Sequence, residues 1–182
     1  MDSALRAKSF SEAAPPASAG AQEPPMFELI ELLFFAYRDF VGDADRLLET
    51  IGFGRAHHRV LHFVSRQPGL TIAELLDILR ITKQSLSRVL KELLDNGFVE
   101  QRAGVSDRRQ RLLFPTERGR RLALDLAQLQ SARFSRALAD LPAAARAGAI
   151  EFFLALIDPA ERVKVAAIVW RNPELARARA RG

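Results

Sequence analysis

Apolar side chains recur at helical spacing near the start of this chain. One stripe is formed by Phe27, Ile30, Phe34, Tyr37 and Val41. The spacing predicts an amphipathic helix, and the pair Gly42-Asp43 is expected to weaken or end it. A second helix is predicted over about residues 55–66, between a loop at 52–54 and a stop at 67–69.

The next stretch carries helix-start signals at two threonines. Thr71 and Glu74 have the spacing of a capping box, in which each side chain accepts a hydrogen bond from the other residue's backbone N–H. After a turn at residues 80–81, Thr82 is the predicted N-cap of another helix, which ends at Asn96-Gly97.

A hairpin is predicted directly after these two helices. Its strand candidates, Phe98–Arg102 and Gln110–Phe114, flank a polar loop tipped with Ser106-Asp107-Arg108-Arg109. Two short helices followed by a basic hairpin have the layout of a winged helix-turn-helix. In that layout a helix enters the major groove of DNA, and an arginine of the hairpin reaches the minor groove.

Three further helices are predicted towards the end of the chain, and Asn172-Pro173 is expected to stop the last one. The apolar stripes at the two ends of the chain exceed what a small winged domain needs for its core. They predict a homodimer, and a monomeric helical core is the alternative. The predicted starts of the three helices are Thr116, Pro142 and Asp158.

Together these elements predict a mainly α fold of the α+β class, a winged helix-turn-helix with N- and C-terminal dimerisation helices. The first 25 residues include four prolines and almost no apolar periodicity, which is typical of a disordered leader. The predicted organisation is a leader at 1–25, an N-terminal dimerisation helix and loop at 26–54, a DNA-binding domain at 55–119, C-terminal dimerisation helices at 120–172 and a flexible Arg-rich tail at 173–182.

Positive charge is concentrated in one part of the chain. The net charge is +5, whereas residues 80–121 hold eleven basic and five acidic residues and the remainder sums to −1. A local positive field is what a DNA-binding surface requires. The absence of cysteine excludes disulfides and thiolate zinc sites. No apolar run approaches the roughly 18–20 residues that span a bilayer, so a cytoplasmic, nucleoid-associated protein without membrane contact is expected.

The helix after Thr82 has one apolar and one polar face. Glutamine suits adenine and arginine suits guanine, while serine and threonine reach bases or phosphates. Any surface helix is polar opposite its apolar stripe, so the capped helix and the basic hairpin beside it are what favour DNA reading. The predicted contacts to double-stranded DNA from this helix are Thr82, Lys83, Gln84, Ser85, Ser87, Arg88 and Lys91.

The tip of the hairpin combines two arginines with a carboxylate. Arg108 and Arg109 are predicted to contact DNA, with Arg109 in the minor groove. A carboxylate that faces phosphate is repelled unless it is already occupied. Asp107 is therefore expected to pair with a nearby arginine or to cap the turn, holding Arg109 in place. The alternative is a solvated turn with incidental charge.

These motifs together resemble the MarR family of bacterial regulators, over roughly residues 27–170. The resemblance implies a homodimeric repressor or activator on a short palindrome. It also implies a helix from Thr82 in the major groove, Arg109 in the minor groove braced by Asp107, and a dimer interface built from the terminal helices. Pro115 departs from the small or apolar residue more usual there. The resemblance is carried by Thr71–Leu75, Ile81–Gly97, Phe98-Val99, Asp107–Arg109 and Leu112–Gly119.

Members of that family often bind phenolic or lipophilic ligands between the dimer helices and the winged domain. The candidates for such an effector site are Tyr37, Arg38, Phe53 and His62, although aromatic residues at these spacings are also common in cores. His58 and His62, at i and i+4, are weak candidates for a shared metal, and the prediction is that the protein uses no metal or other cofactor.

No catalytic constellation emerges, so no catalytic residues and no enzyme activity are predicted. Two interpretations compete with a sequence-specific regulator. One is a non-specific architectural DNA-binding protein, and the other is a winged helix that mediates protein interactions.

Overall fold

The computed structural model describes residues 24–104 and 108–171. Most of the predicted leader, the wing-tip residue Asp107, the predicted helix stop at 172–173 and the Arg-rich tail lie outside the described residues. The elements of the described part are α1 (Phe27–Glu49), α2 (Arg55–Arg66), β1 (Leu70–Thr71), α3 (Ile72–Leu79), α4 (Lys83–Asp95), β2 (Val99–Ala103), β3 (Arg111–Pro115), α5 (Glu117–Ala139), α6 (Ala145–Leu156) and α7 (Arg162–Val169).

The three strands form one antiparallel sheet in the order β1-β3-β2. β2 and β3 make the predicted hairpin, in a register that runs from Val99 opposite Pro115 to Ala103 opposite Arg111. β1 pairs with the other side of β3. A small sheet set among helices confirms the predicted fold class, a mainly helical winged helix-turn-helix.

The helices α2, α3 and α4 pack with the sheet and α5 around one apolar core. Each of these helices contributes side chains at helical spacing, so one face of each of them is removed from water. The largest fully buried side chains include Leu48, Leu61, Leu75, Leu86, Leu93, Leu113 and Leu126.

Both threonine caps form as predicted. The Thr71 hydroxyl accepts the Glu74 N–H at 3.1 Å, and the Glu74 carboxylate accepts the Thr71 N–H at 2.8 Å, which completes the capping box of α3. The Thr82 hydroxyl accepts the Ser85 N–H at 3.1 Å and caps α4. These two caps set where each helix of the helix-turn-helix begins.

The first helix, which Gly42-Asp43 was expected to weaken or end, continues through this pair for two further turns. Beyond Gly42, Ala44 and Leu48 are fully buried, and the Asp43 carboxylate accepts a hydrogen bond from Arg133 of α5 at 2.8 Å. A glycine in a helix interior costs about 1 kcal/mol, whereas burying one leucine side chain contributes roughly 1.5–3 kcal/mol. The contacts with the core therefore outweigh the glycine.

Both wing strands begin and end one residue later than predicted, so Pro115 is the last residue of β3. A proline is tolerated there because the end of a strand does not require its missing N–H. Thr116 then starts α5 by accepting the Gly119 N–H at 3.0 Å.

The last two helices begin later than their sequence signals predicted. α6 begins at Ala145 rather than at Pro142, and α7 begins at Arg162 rather than directly after Asp158. The Asp158 carboxylate accepts the Ala160 N–H at 2.9 Å. Asp158 therefore caps a turn, and the helix starts after that turn.

Apolar side chains remain exposed at both ends of the described chain. On the first half of α1 they are Phe27, Leu29, Ile30, Leu32, Leu33, Phe34, Phe35 and Tyr37. Near the C-terminal end they are Ile150, Phe152, Phe153, Leu156, Val163, Val169 and Trp170. None of the helices within residues 24–104 and 108–171 has the length and apolar character to cross a membrane.

Candidate nucleic-acid interface

The seven predicted DNA-contacting residues of α4 and its cap lie on one exposed surface. The other side of α4 is anchored in the core by Leu86, Val89, Leu90 and Leu93. Because a helix repeats every 3.6 residues, this anchoring turns the polar positions towards solvent. The exposed residues are Thr82, Lys83, Gln84, Ser85, Ser87, Arg88 and Lys91.

Three of these side chains are already engaged within the protein. The Thr82 hydroxyl also donates to the Ser85 hydroxyl at 2.9 Å. Lys91 forms an ion pair with Asp95 one turn along the helix, and this hydrogen bond raises the pKa of Lys91. Within the described part of the chain, the remaining four side chains make no hydrogen bond or ion pair: Lys83, Gln84, Ser87 and Arg88.

His57 of α2, which was not among the predicted site residues, links α2 to α4. His57 Nδ1 accepts the Gly54 N–H at 3.1 Å, so the ring proton sits on Nε2 and is donated to Glu92 Oε2 at 2.6 Å. The ring also stacks on Phe53 at 4.4 Å between centroids. The available signal was the position of His57, three residues after a helix N-cap, where side chains often reach back to the cap.

The wing carries exposed arginines beyond its paired strands. The strand pairing ends at Ala103 and Arg111, and the Gly104 N–H then donates to the Gln110 carbonyl at 3.0 Å. Arg108 and Arg109 are exposed in the turn. Because Asp107 lies outside the described residues, its expected role stays a prediction: pairing with a nearby arginine or capping the turn, so that Arg109 is held in place.

The basic residues between 80 and 121 differ in what their side chains contact. Five form ion pairs with carboxylates: Arg80, Lys91, Arg102, Arg120 and Arg121. Arg118 instead donates to the Asn96 carbonyl at 2.9 Å and lies over the Phe98 ring. Four cations of this stretch have no anionic partner among residues 24–104 and 108–171: Lys83, Arg88, Arg108 and Arg111. All four belong to α4 or the wing. Within the described residues, the positive charge of this stretch that is left without a partner is therefore confined to a smaller part of the chain than residues 80–121.

A cleft of about 310 Å³ lies between α1, α2 and α5. Two of the four predicted effector-site residues, Tyr37 and His62, line it, together with Phe40, Phe63 and Arg59. Its walls combine aromatic rings with basic side chains, which suits a small ligand with an apolar body.

The other two predicted effector-site residues do not line this cleft. Phe53 is buried in the core and packs edge-on against Phe98. Arg38 bonds to Asp39 at 2.8 Å and lies over the Phe35 ring. The effector site itself stays a prediction, for which the structure supplies Tyr37 and His62.

The two histidines considered as weak metal ligands are neighbours on α2. The rings of His58 and His62 are 6.4 Å apart between centroids and nearly perpendicular. Burial lowers the pKa of both, and the nearby Asp45 partly offsets this at His58. Among the residues described, no third histidine or carboxylate joins them in a group that could hold a metal ion.

Comparisons with known proteins give a consistent result. The family model described as MarR family matches residues 51–110. HTH-type transcriptional regulator PetP of Rhodobacter capsulatus is 47% identical over 133 residues, which are 73% of this chain and 80% of that protein. HTH-type transcriptional repressor Rv2887 of Mycobacterium tuberculosis is 35% identical over 96 residues, 53% of this chain and 69% of that protein.

Solved structures with the same fold include two that are similar over most of the chain. The structure of Streptococcus pneumoniae FabT in complex with DNA has a TM-score of 0.65 at 16% identity and covers 72% of this chain and 94% of FabT. The structure of MarR has a TM-score of 0.60 at 22% identity and covers 82% of this chain and 99% of MarR. The proteins that are similar to this chain in sequence are transcriptional regulators and not enzymes.

Proposed function

Since this chain belongs to the MarR family of transcriptional regulators, we propose that it binds a palindromic operator in double-stranded DNA as a homodimer. In this proposal, α4 of each protomer enters the major groove, and the wing between β2 and β3 reaches the adjacent minor groove. The FabT complex supports the DNA-bound part of the proposal through a shared fold.

The observation that carries the proposal is the unengaged face of α4. Gln84 and Arg88 are exposed on the same face, with neither side chain bound elsewhere in the described part of the chain. A glutamine can pair with adenine and an arginine with guanine through two hydrogen bonds each. Lys83 lies in the first turn of α4, where free backbone N–H groups and the helix dipole also favour a phosphate. This face therefore combines base reading with phosphate binding.

The wing supplies the second contact in this proposal. Arg108 and Arg109 stand at the tip of a hairpin whose base is fixed by five residue pairs. An arginine at such a tip suits the narrow minor groove, where the potential is most negative. We assign Arg109 to the groove and Asp107 to bracing it.

The homodimer of this proposal is supported by the apolar side chains that a single copy leaves in water. Phe34 on α1 is 68% exposed, and Phe153 on α6 is 48% exposed. Several large apolar side chains left exposed on one helix favour an interaction site there. A two-fold axis through these helices would place two α4 helices on successive major grooves, roughly 34–36 Å apart.

The test is selection of bound sequences from a pool of random duplexes, followed by measurement of affinity for the selected site. Wild-type protein is expected to enrich a palindrome. The Arg88→Ala variant should bind it about 10- to 100-fold more weakly and tolerate other bases at one position in each half-site. Lys91→Ala is the matched control on the same helix. It should change affinity much less, because Lys91 is engaged with Asp95.

The possible failures of this experiment have different meanings. Tight binding without sequence enrichment would support an architectural DNA-binding protein. Absence of duplex binding would support a winged helix that mediates protein interactions. An Arg88→Ala variant with wild-type affinity and base preference would contradict the role given to α4.

A further inference from the structure

The junction between α3 and α4 has an arginine in a left-handed backbone conformation. Arg80 has φ 51° and ψ 46°. The other described residues with positive φ are the glycines Gly52, Gly69 and Gly97. Because a β-carbon is unfavourable in this conformation, glycine would form the turn at a lower conformational cost. The presence of arginine at this position therefore indicates that its side chain makes an interaction that glycine could not make.

The side chain of Arg80 joins a four-residue polar network with α7. Arg80 Nη2 lies 2.8 Å from Glu161 Oε1, at the N-terminus of α7. One turn further along α7, Lys164 Nζ lies 2.5 Å from Asp77 Oδ2 and 3.7 Å from Glu161 Oε2. The charges alternate in sign through the network, so each residue is stabilised by its neighbours. We call these four residues the α3–α7 network.

The same junction is held from the other side by α2. Arg59 Nη2 donates to the carbonyl of Leu79, the last residue of α3, at 2.9 Å. α2 is itself part of the core, whereas α7 has no buried residue. The connection from α7 to the junction is therefore polar and largely exposed. Exposed ion pairs add little to the free energy of unfolding, but they can fix an orientation.

We propose that Glu161 and Lys164 are positioning residues for operator recognition. Through the α3–α7 network they set the angle between the α3–α4 unit and the C-terminal helices, which carry part of the proposed dimer interface. This inference rests on the proposed function. Releasing the network changes the separation of the two α4 helices in the dimer. Affinity for an operator of fixed half-site spacing falls, and affinity for random DNA does not.

The test compares Glu161→Gln with wild type in the full chain, by fluorescence anisotropy on the selected operator and on a random duplex of equal length. Operator binding is expected to weaken about fivefold, the upper range for exposed ion pairs, with no change on the random duplex. One base pair inserted between the half-sites should also impair the variant less than the wild type. Unchanged or tighter operator binding overturns the proposal, and tighter binding would mean that Arg80 contacts phosphate itself.

Two further variants separate positioning from folding. Asp140→Asn removes the same charge from the turn between α5 and α6, where Asp140 has no ion pair among the described residues, and should leave operator binding unchanged. Arg80→Gly favours the left-handed turn, so its unfolding midpoint should not fall, yet operator binding should weaken as in Glu161→Gln. Operator binding at wild-type strength in Arg80→Gly would also overturn the proposal. If the wild type selects no operator, the proposed function fails instead.

Discussion

Gly119 shows how one small residue sets the distance between α5 and the wing. A β-carbon built at this position would lie 1.9 Å from the carbonyl oxygen of Phe98. That oxygen is fixed because it accepts the Thr116 N–H at 3.1 Å. The first turn of α5 can therefore rest against the start of β2 only if residue 119 has no side chain. The close approach of Gly119 to the Phe98 carbonyl therefore helps to set the position of the wing relative to α5.

Replacing Gly119 with alanine is expected to destabilise the protein. The methyl group would displace backbone, and overpacking of this kind costs about 1–3 kcal/mol. Chemical denaturation should show a lower unfolding midpoint. Gly148→Ala on α6 is the control, because nothing lies within 4 Å of its β-carbon position. That variant should be as stable as wild type or gain up to about 1 kcal/mol. Equal midpoints for the two variants would contradict the close approach at Gly119.

Among the helices, α4 depends most visibly on a side chain at its start. Thr82 satisfies the Ser85 N–H, and no acidic residue in the first turn of α4 assists it. Thr82→Ala should lower the free energy of unfolding by about 1 kcal/mol. Thr82→Ser keeps the accepting oxygen and should lose much less. The comparison is made by urea denaturation, and equal losses in the two variants would mean that the methyl group matters rather than the cap.

The sequence was most informative where a local rule determined the structure. Thr71 and Thr82 each satisfy an amide three residues ahead, so the starts of α3 and α4 could be predicted without knowledge of the fold. Local rules also predicted a weak point or an end of α1 at Gly42 and a start of α7 at Asp158. Neither prediction gave the observed boundary, because contacts with the core extend α1 and because Asp158 caps a turn that precedes α7. Such contacts depend on residues far along the chain, such as Arg133 for Asp43.

In the candidate site, too, some residues could be predicted from the local pattern and others could not. Helical periodicity was sufficient to assign Gln84, Ser87 and Arg88 to one exposed face. It could not show which cations of the basic stretch are paired, because partners such as Glu161 of Arg80 come from distant elements. The effector site expected from the family resemblance included Phe53, whereas packing against Phe98 puts this ring in the core. Side-chain partners across elements follow from the tertiary fold alone.

The assembled molecule is expected to be a dimer whose interface includes α1. Phe34→Glu places a charge on an apolar face, so it should shift the protein towards the monomer in sedimentation velocity at micromolar concentration. Ile51→Glu, on an exposed turn after α1, is the control and should remain dimeric. A wild-type protein that sediments as a monomer at every concentration, or a Phe34→Glu variant that remains fully dimeric, would contradict this interface.

The pairing of half the basic stretch has a consequence for the ions around the operator. Each phosphate that a protein cation neutralises releases condensed counterions, and the logarithm of affinity falls with the logarithm of salt by about 0.9 per phosphate. Cations already matched by carboxylates contribute little to this release. A dimer that uses Lys83, Arg88, Arg108, Arg109 and Arg111 should therefore give a slope of about −9, whereas all eleven basic residues would give about −20. Titration with potassium chloride distinguishes the two, and the steeper slope would mean that the ion pairs break on DNA.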